Sequence, residues 1–419
     1  MRIIYSAFVL LYGWGIKLAS SFQPKAKLWV DGRTNLFDNI QLKLADNKAP
    51  VIWMHCASLG EFEQGRPLLE ALRINSPESK LLLTFFSPSG YEVRKDYAGV
   101  DWVFYLPLDT ISNASKFIDI IKPTKVLFVK YEFWFNFLKV LNENKIPIYF
   151  ISVNIRPAHY FFKWYGSWAL NQLKKVTHFF VQNQQSHQLL NTAGIYQCSV
   201  TGDTRFDRVL SIAKEATSFP LIEKFSAGKK TIIAGSTWRE DERLLAQIIL
   251  RNASKSDGQN ATTSIEKLII APHEIHENSL RAVEEIFIKS KIIRLSKLDI
   301  SSISDYDVLI IDNIGMLSSI YQYSTFCYIG GGFGKGIHNT LEAAVYGKPL
   351  LFGPNFQNFE EAKDLIRLGA ATNISTIDEL SKVVGELLLN EKKYREQSLI
   401  AQNYVRDNSG AVKKILALI

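Results

Sequence analysis

Apolar runs alternate with amphipathic segments along most of the chain. In the first half, these runs predict strands at 51–55, 80–86, 102–106, 125–129, 147–153, 178–182 and 198–201. After a polar stretch they resume at 230–234, 267–271, 291–294, 307–311, 325–329 and 349–352. Helical periodicity between several of the runs predicts parallel sheets wrapped by helices, which is an α/β fold class.

The polar stretch predicts a division into two Rossmann-like domains. We expect an N-terminal domain at 28–207, a linker at 208–229 and a C-terminal domain at 230–419, whose last helix could pack back on the first domain. Residues 1–27 precede them as a membrane-associating segment. Ligands of such sheets bind beyond the carboxyl ends of the strands, so a cleft between two facing domains is the expected site.

The chain begins with an uncharged segment at 3–16, IIYSAFVLLYGWGI. Basic residues flank it: Arg2, Lys17, Lys25 and Lys27. Its fourteen residues are short for a helix that crosses about 30 Å of hydrocarbon, which needs about 20 residues. Because no clean small-x-small cleavage site follows, we expect an uncleaved anchor in one leaflet, with a buried core helix as the alternative. Three aromatic residues would lie at the interface: Tyr5, Tyr12 and Trp14.

Composition adds a preference for anionic partners. The chain has 419 residues and a formal net charge of +8, which favours phosphorylated substrates, an acidic membrane surface or nucleic acid. Nucleic acid ranks last, because the basic residues form no long block and no nucleic-acid motif occurs. The three cysteines, Cys56, Cys198 and Cys327, lie far apart and predict a reducing compartment without a disulfide or a zinc site.

The segment at 325–354 carries the strongest chemical signal. An apolar run ends in Gly330, and five of the seven residues from there to Gly336 are glycines. We expect His338 and Asn339 to open a helix that ends at Gly347. A helix start offers unpaired N–H groups to a phosphate, and glycines allow close approach of the backbone. An ordinary strand–turn–helix is the alternative.

Other loops after predicted strands supply small or polar residues at the same expected edge. In the C-terminal half they are Gly235-Ser236-Thr237, Pro272-His273-Glu274 and Asn313-Ile314-Gly315. One turn into the helix that follows the glycines, Glu342 could accept hydrogen bonds from ribose hydroxyls. The recurrence of such loops at successive strand ends predicts a nucleotide site.

The N-terminal half offers two carboxylates at strand ends. Ser58 and Glu61 have the spacing of a capping box, and a cap would explain both as well as a catalytic base would. Glu132 directly follows the strand at 125–129, which predicts a position in the cleft. The aromatics beside it and those at 160–165 could be core, or could face lipid.

An ordered series of motifs resembles the 3-deoxy-D-manno-octulosonic acid (Kdo) transferases of lipopolysaccharide synthesis. The motifs are LWVDGR (28–33), HCASLGE (55–61), TFFSPSGYE (84–92), YLPLD (105–109), YEFWFN (131–136), SVNIRP (152–157), VTGDTRFD (200–207), GGGFGKGIHNTLEAA (330–344) and GPNFQNF (353–359). Each motif alone is weak, but together and in this order they cover nearly the whole chain.

The resemblance implies a GT-B glycosyltransferase that inverts the anomeric centre and needs no metal or other cofactor. Its donor would be CMP-Kdo and its acceptor a phosphorylated, tetraacylated lipid A precursor. The family's catalytic base lies in the motif matched by Ser58, Gly60 and Glu61, which makes Glu61 the expected base. Glu132 matches a second family carboxylate, expected to hold the acceptor or the sugar.

The family's nucleotide site maps onto the loops described above. The expected donor-binding residues are Ser236, Thr237, His273, Gly315, Gly331, Gly332, His338, Asn339 and Glu342. Two positions depart from the family pattern: His273 stands where relatives commonly have Arg, and Met316 where they commonly have Glu. A neutral imidazole grips a phosphate less firmly than a guanidinium does, so backbone N–H groups would bind more of the phosphate here.

Acceptor-binding residues are expected near the matched motifs of the N-terminal half. Ser58 and Gly60 belong to the base motif, and Arg66 and Arg156 are candidates for gripping acceptor phosphates or the Kdo carboxylate. The anionic inner membrane of a bacterium, at its cytoplasmic face, is the expected location. Other classes stay open: a GT-B enzyme with a UDP-sugar donor, a nucleotide-sugar epimerase, a membrane-bound binding protein and, less favoured, an NAD-dependent dehydrogenase.

Overall fold

Each half of the chain folds into a parallel sheet of seven strands. The computed structural model describes residues 1–215, 217–253 and 264–419. The first sheet contains Val51–Cys56 (β1), Lys80–Phe85 (β2), Trp102–Tyr105 (β3), Pro123–Val129 (β4), Ile148–Val153 (β5), His178–Val181 (β6) and Cys198–Val200 (β7). The second contains Thr231–Thr237 (β8), Lys267–Pro272 (β9), Ile292–Arg294 (β10), Val308–Ile310 (β11), Phe326–Ile329 (β12), Leu350–Phe352 (β13) and Ala371–Asn373 (β14). The predicted α/β class is confirmed, and β14 is the described strand that the sequence pattern did not predict.

Helices connect the strands. In the first half they are Arg2–Ala19 (α1), Pro24–Asp31 (α2), Leu36–Leu44 (α3), Leu59–Asn75 (α4), Pro88–Arg94 (α5), Ile111–Ile121 (α6), Phe135–Glu143 (α7), Ser167–Leu173 (α8), Gln184–Thr192 (α9) and Thr204–Lys214 (α10). In the second half they are Pro220–Ser226 (α11), Arg239–Ala253 (α12), Glu277–Ile286 (α13), Leu317–Ile320 (α14), Leu341–Ala344 (α15), Glu360–Leu368 (α16), Ile377–Leu389 (α17), Glu391–Asp407 (α18) and Ala411–Leu416 (α19). Short 3-10 helices occur at Tyr160–Phe162, Leu295–Lys297, Ile300–Asp305 and Tyr321–Tyr323.

Both sheets are doubly wound. The strand order is β3-β2-β1-β4-β5-β6-β7 in the first sheet and β10-β11-β9-β8-β12-β13-β14 in the second. Each chain path therefore runs outward from a central strand and restarts on its other side, between β1 and β4 in one sheet and between β8 and β12 in the other. Ligands of open α/β sheets bind at these switch points, because the loops there diverge and leave a crevice.

The chain divides into two compact units. The first unit comprises Met1–Arg208 and Ser409–Ile419, and the second comprises Val209–Asn408. Within the first unit, the Asp207 carboxylate accepts hydrogen bonds from the N–H groups at the start of α19, at 3.0 Å each. The predicted linker at 208–229 contains the end of α10 and all of α11. The predicted domain boundaries themselves stay a prediction.

Continuous burial explains why the strands are apolar on both faces. All six residues of β1 are buried, and the Trp53 side chain at its centre is fully buried. The indole of Trp53 contacts the rings of Phe117, Phe128 and Phe137, with centroids 5.0 to 5.6 Å apart. A parallel sheet covered by helices on both faces requires this pattern, since neither face meets water.

Only one face of helix α1 packs against the rest of the first unit. It is the one helix among the described residues that is long and apolar enough to cross a membrane, a test that a core helix or a signal sequence also passes. Its opposite face exposes apolar side chains by 65% or more: Ile3, Ile4, Phe8, Leu11, Trp14 and Leu18. Tyr5 differs from its expected interfacial position, because its ring packs against Phe135 and its hydroxyl donates to Asp109.

Candidate functional site

Two carboxylates meet at the switch point of the first sheet. Glu61 lies in the first turn of α4, directly after β1, and Glu132 lies in the turn after the neighbouring strand β4. The two carboxyl groups lie close enough for each to affect the pKa of the other. The topology therefore brings together the two residues that the sequence predicted as catalytic. Their roles in catalysis stay a prediction.

The backbone at the start of α4 holds Glu61 in place. Its Oε2 accepts a hydrogen bond from the N–H of Ala57 at 2.5 Å, and the Ser58 N–H adds a second. Ser58 is the N-cap and is extended, but its hydroxyl makes no capping hydrogen bond. The predicted capping box is thus half formed: the carboxylate bonds back to the chain, whereas the hydroxyl stays available.

Burial and proximity give the two carboxyl groups different charges. Burial raises the pKa of Glu61, but the Ala57 N–H and the Lys130 ammonium counteract the rise. Burial and the Glu61 carboxylate together raise the pKa of Glu132 to about 8. Glu132 is therefore the more readily protonated of the two carboxyl groups, and Glu61 the more readily ionised. This leaves Glu61 as an oriented anion that can accept a further proton.

A fully buried histidine lies behind this pair. The imidazole of His55 is 0% exposed, and its Nδ1 lies 2.8 Å from the hydroxyl of Thr84. Burial lowers the pKa of His55 to about 3, and the positive charge of Arg33 adds to the effect, so the ring is neutral. Sequence reasoning did not single out His55, because a histidine inside an apolar run resembles a core residue.

Of the other predicted residues of the first unit, Ser58 and Gly60 adjoin Glu61 at the start of α4. A Cβ on Gly60 would meet no atom within 4 Å, so the surface of the first turn of α4 is open there. The Arg66 guanidinium is engaged with Glu70 at 2.7 Å. Arg156 lies after β5 and is exposed. Acceptor binding by Ser58, Gly60, Arg66 and Arg156 stays a prediction.

In the second unit, the glycine-rich loop follows β12 at the switch point beside β8. A Cβ on Gly330 would lie 2.3 Å from the carbonyl oxygen of Ser236, and one on Gly332 would lie 2.5 Å from Gly353. Gly331 has a φ of +91°, and a Cβ there would lie 2.4 Å from the Gly336 carbonyl oxygen. The protein's own backbone thus requires these glycines. A nucleotide site at this loop stays a prediction.

The helix after the glycine-rich loop is shorter than the sequence predicted. Helix α15 has four residues, Leu341–Ala344, so His338 and Asn339 precede it instead of opening it. The Asn339 side chain accepts from the Leu341 N–H at 3.1 Å and donates to Glu342 at 2.9 Å. Asn339 therefore orients Glu342 and begins the turn. One turn of helix carries only a small dipole, so phosphate binding here would depend on individual N–H groups and side chains.

The end of β8 presents backbone more than side chains. The Thr237 hydroxyl is buried and donates to Glu242 at 2.9 Å, while its carbonyl oxygen accepts from the His273 N–H at 3.0 Å. Ser236 has a φ of +54°, which is uncommon for a residue other than glycine and is typical of functional sites. Gly315, after β11, has a φ of +99° and is exposed.

Three rings from different loops form a column beside the glycines. Trp238 stacks on His273 with centroids 4.7 Å apart, and His273 stacks on His338 at 4.5 Å. The indole N–H of Trp238 donates to His338 Nε2 at 3.3 Å, which leaves Nδ1 of His338 as the nitrogen that carries the proton. Burial, with the neighbouring His273, lowers the pKa of His338. Sequence reasoning missed Trp238, although it directly follows the Ser236-Thr237 loop.

A buried aspartate links the column to the glycines. Asp241, in the first turn of α12, accepts hydrogen bonds from the N–H of Gly331 at 2.8 Å and of Trp238 at 2.9 Å. The Tyr328 hydroxyl donates to the same carboxyl group at 2.8 Å. Burial raises the pKa of Asp241, and the three donors counteract it. Asp241 was not predicted, because an acidic residue in a first helical turn is common on any surface helix.

Within the ranges that the structure describes, no group of three or more His, Cys, Asp or Glu side chains is placed to hold a metal ion. Metal independence stays a prediction.

Part of the chain matches the sequence model of a known family, and most of the chain matches individual curated proteins. Residues 33–208 match the sequence model of the family described as 3-deoxy-D-manno-octulosonic-acid transferase (kdotransferase). Curated 3-deoxy-D-manno-octulosonic acid transferases match over most of both chains. The one from Rickettsia typhi is 24% identical over 97% of this chain and 86% of its own. The one from Haemophilus influenzae is 24% identical over 88% of this chain and 86% of its own. The one from Aquifex aeolicus is 27% identical over 82% of this chain and 88% of its own.

Solved structures support the fold class. The UDP-GlcNAc 2-epimerase from Neisseria meningitidis, bound to UDP-GlcNAc, superposes with a TM-score of 0.60 at 16% identity and covers 88% of this chain and 98% of its own. MurG from Acinetobacter baumannii superposes with a TM-score of 0.54 at 11% identity and covers 88% and 99%. At these identities the likeness concerns the fold alone. The predicted GT-B class, with two doubly wound units, is confirmed.

Proposed function

We propose that the chain is a member of the 3-deoxy-D-manno-octulosonic acid (Kdo) transferase family, which its sequence resembles, and that it transfers Kdo from CMP-Kdo to a glucosamine hydroxyl of a tetraacyl lipid A precursor. The observation that carries the proposal is the pair formed by Glu61 and Glu132 at the switch point of the first sheet. An ionised carboxylate, held by backbone N–H groups and by a protonated neighbour, has the properties of a general base.

In the proposed reaction, Glu61 takes the proton of the acceptor's primary hydroxyl. The freed oxygen attacks the anomeric carbon of Kdo while the bond from that carbon to the CMP phosphate breaks on the opposite face, and the configuration inverts. Glu132 orients Glu61 through a shared proton. A positioned base typically contributes about 10²- to 10⁴-fold in rate.

The second unit is the proposed donor site. Negative charge grows on the phosphate as CMP leaves. Hydrogen-bond donors that point at the phosphate therefore stabilise the transition state more than the ground state. The proposed hydrogen-bond donors to the phosphate are the backbone at Ser236, the Nδ1–H of His338 and the imidazole of His273. Glu342, held by Asn339, would accept from the ribose hydroxyls. Thr237, Gly315, Gly331 and Gly332 would contribute through their backbone. No metal takes part in the proposed reaction.

The proposed location is the cytoplasmic face of a bacterial inner membrane. The exposed apolar face of α1 would enter the bilayer, and the formal net charge of +8 would favour an anionic surface. The lipid acceptor would then be reached from the membrane plane.

The first experiment is transfer of labelled Kdo, from CMP-Kdo made in situ, to tetraacyl lipid A precursor. Wild type, Glu61→Gln and Glu63→Gln are compared side by side. Glu63 is the matched control, because it lies on the same helix but pairs with Arg94 at 2.9 Å. We expect labelled lipid with wild type and Glu63→Gln, and at least a 100-fold loss with Glu61→Gln, at the lower end of the usual contribution of a base, about 10²-fold.

Other outcomes would change specific parts of the proposal. Equal labelling by wild type and Glu61→Gln would remove Glu61 as the base. If folded wild type labels no lipid, the donor or the acceptor is wrong, and a screen of other nucleotide sugars follows. Turnover of a UDP-sugar without a lipid acceptor would indicate an epimerase.

A further inference from the structure

The buried imidazole of His55 has one nitrogen with a partner and one without. Its Nδ1 lies 2.8 Å from Thr84 Oγ1, and the same oxygen accepts the indole N–H of Trp53 at 2.8 Å. Because Thr84 accepts from Trp53, its own proton is available for Nδ1 of His55. In the tautomer in which the Thr84 hydroxyl donates to Nδ1, the proton of the neutral imidazole is on Nε2.

Nε2 of His55 is buried and has no hydrogen-bond partner among the described residues. A buried donor without a partner is destabilising, so such a group is uncommon in a core unless it serves a purpose. The ring cannot turn away, because Phe128 and Trp134 pack against it with centroids 5.9 and 6.0 Å away. The lone donor is therefore held in one direction.

That direction leads to the carboxylate pair. Nε2 of His55 lies 4.0 Å from Oε2 of Glu132, which is too far for a hydrogen bond but close enough for a small rotation of the carboxyl group to form one. The charged groups around Glu132 are Glu61 and Lys130. Arg33 acts on the other side of the ring and disfavours a charged imidazole. Catalytic hydrogen bonds are often long in the absence of substrate.

We propose that His55 is a positioning residue that donates its Nε2–H to Glu132 during turnover, a step that rests on the proposed function. When Glu61 takes the proton of the acceptor hydroxyl, it changes from hydrogen-bond acceptor to donor. Glu132 then releases its own proton to water, which its side chain can reach because 18% of it is exposed. The resulting Glu132 anion accepts from Glu61 on one side and from His55 on the other. Transfer of the proton from Glu61 back to Glu132 restores the starting state, and one proton has left for each one taken.

A pair of isosteric variants tests this role. In His55→Gln the amide nitrogen can occupy the position of Nε2, whereas in His55→Asn it can occupy only that of Nδ1. We measure kcat and KM for Kdo transfer between pH 5 and 9, with thermal unfolding and circular dichroism as checks on folding. His55→Asn should lower kcat by about 10- to 100-fold, the worth of one hydrogen bond to a charged group, with KM for CMP-Kdo unchanged.

The pH profile distinguishes a positioning role of the His55 side chain from a purely structural role in packing. Without the Nε2–H the Glu132 anion is less stable, so the acid limb of the profile should move to higher pH in His55→Asn, and His55→Gln should restore most of the wild-type profile. Equal losses in both folded variants, or a profile that does not move, would overturn the proposal. If His55→Asn does not fold, Thr84→Val replaces it: loss of the hydroxyl that orients the ring should move the acid limb in the same direction.

A second readout does not depend on Kdo transfer. The ionisation of Glu132 can be followed without substrate by ¹³C resonances of labelled glutamate, assigned by comparison with Glu132→Gln. A higher pKa of Glu132 in His55→Asn than in wild type would support the role of His55 even if the enzyme proved to use another donor. An unchanged pKa would contradict it, whatever the substrate.

Discussion

Burial acts on individual residues of the first unit in opposite directions. It raises the pKa of Glu132 and lowers that of His55, so both are neutral near pH 7. Glu61 is also buried, but backbone N–H groups and Lys130 favour its anion. An anion (Glu61), a neutral acid (Glu132) and a neutral imidazole (His55) thus lie side by side at the carboxyl ends of β1 and β4. The arrangement separates the roles of two carboxyl groups that are chemically alike.

The raised pKa of Glu132 predicts a specific dependence of stability on pH. In the folded protein this pKa is about 8 instead of 4.5, so the folded state binds more protons than the unfolded state between these values. Stability should therefore fall as the pH rises from about 4.5 to 8, and stay level above that range. Glutamine cannot ionise, so Glu132→Gln should lose this part of the dependence.

Thermal unfolding at pH 5 and pH 9 measures the effect. The melting temperature of wild type should drop more between the two pH values than that of Glu132→Gln, by several degrees. Other buried acids contribute equally to both proteins, so the difference isolates Glu132 and its coupling to Glu61. Parallel curves for the two proteins would show that Glu132 is ionised in the folded state.

At the scale of elements, helix α4 contains one glycine with free space around its Cα and one that is packed tightly against neighbouring strands. Gly60 in its first turn faces open space, whereas a Cβ on Gly65 would lie 2.8 Å from Met54 Sδ and 3.1 Å from Val129. The helix can approach β1 and β4 only because Gly65 has no side chain. The open position lies one residue before Glu61, where an acceptor hydroxyl would arrive.

Alanine at the two positions should therefore have opposite effects. Gly60→Ala should keep or raise the free energy of unfolding, by up to about 1 kcal/mol, because alanine favours helix. Gly65→Ala should lower it by about 1–3 kcal/mol through overpacking. Chemical denaturation measures both. Loss of Kdo transfer in a fully stable Gly60→Ala would indicate that the acceptor contacts this turn, and destabilisation of Gly60→Ala would mean that the surface of α4 is not open there.

The glycine-rich loop shows how one element serves two requirements. Its glycines fit against Ser236 and Gly353, and its N–H at Gly331 is held by Asp241. Packing therefore explains the glycines, while His273 and His338, which stack on each other beside them, are the proposed phosphate contacts.

At the scale of the whole molecule, the exposed apolar face of α1 has no cover among the described residues. A large exposed apolar patch on a helix beside basic residues is typical of proteins that bind an anionic membrane surface. The packing of Tyr5 and Val9 fixes which face of the helix is free.

Charged substitutions on the free face should weaken membrane binding. Phe8→Asp combined with Leu11→Asp should reduce co-flotation with vesicles that contain anionic phospholipid by at least about 10-fold, given the area removed from lipid and the added charge. Leu389→Asp, at a site that is 71% exposed on α17, is the matched control and should float like wild type. Unchanged flotation of the double variant would exclude α1 as the membrane contact.

Much of the fold could be predicted because apolar runs specify buried strands wherever a strand lies in the middle of a sheet. β14 escaped prediction because its three residues, Ala371, Thr372 and Asn373, form no apolar run. Helix α15 proved shorter than expected because Asn339 folds into a turn before it begins. Glu61 and Glu132 could be singled out because each follows a predicted strand and lies in a motif of the family resemblance; their catalytic roles stay a prediction.

By itself, the sequence determined two α/β units and singled out two carboxylates at strand ends, because apolar periodicity and short motifs are local properties of the chain. Only the tertiary structure decided that Glu61 and Glu132 lie close together, that Nε2 of His55 lies 4.0 Å from Glu132, and that the glycines pack against backbone. Desolvation and hydrogen bonding depend on which distant residues become neighbours. That is set by strand order and packing, and no local pattern specifies it.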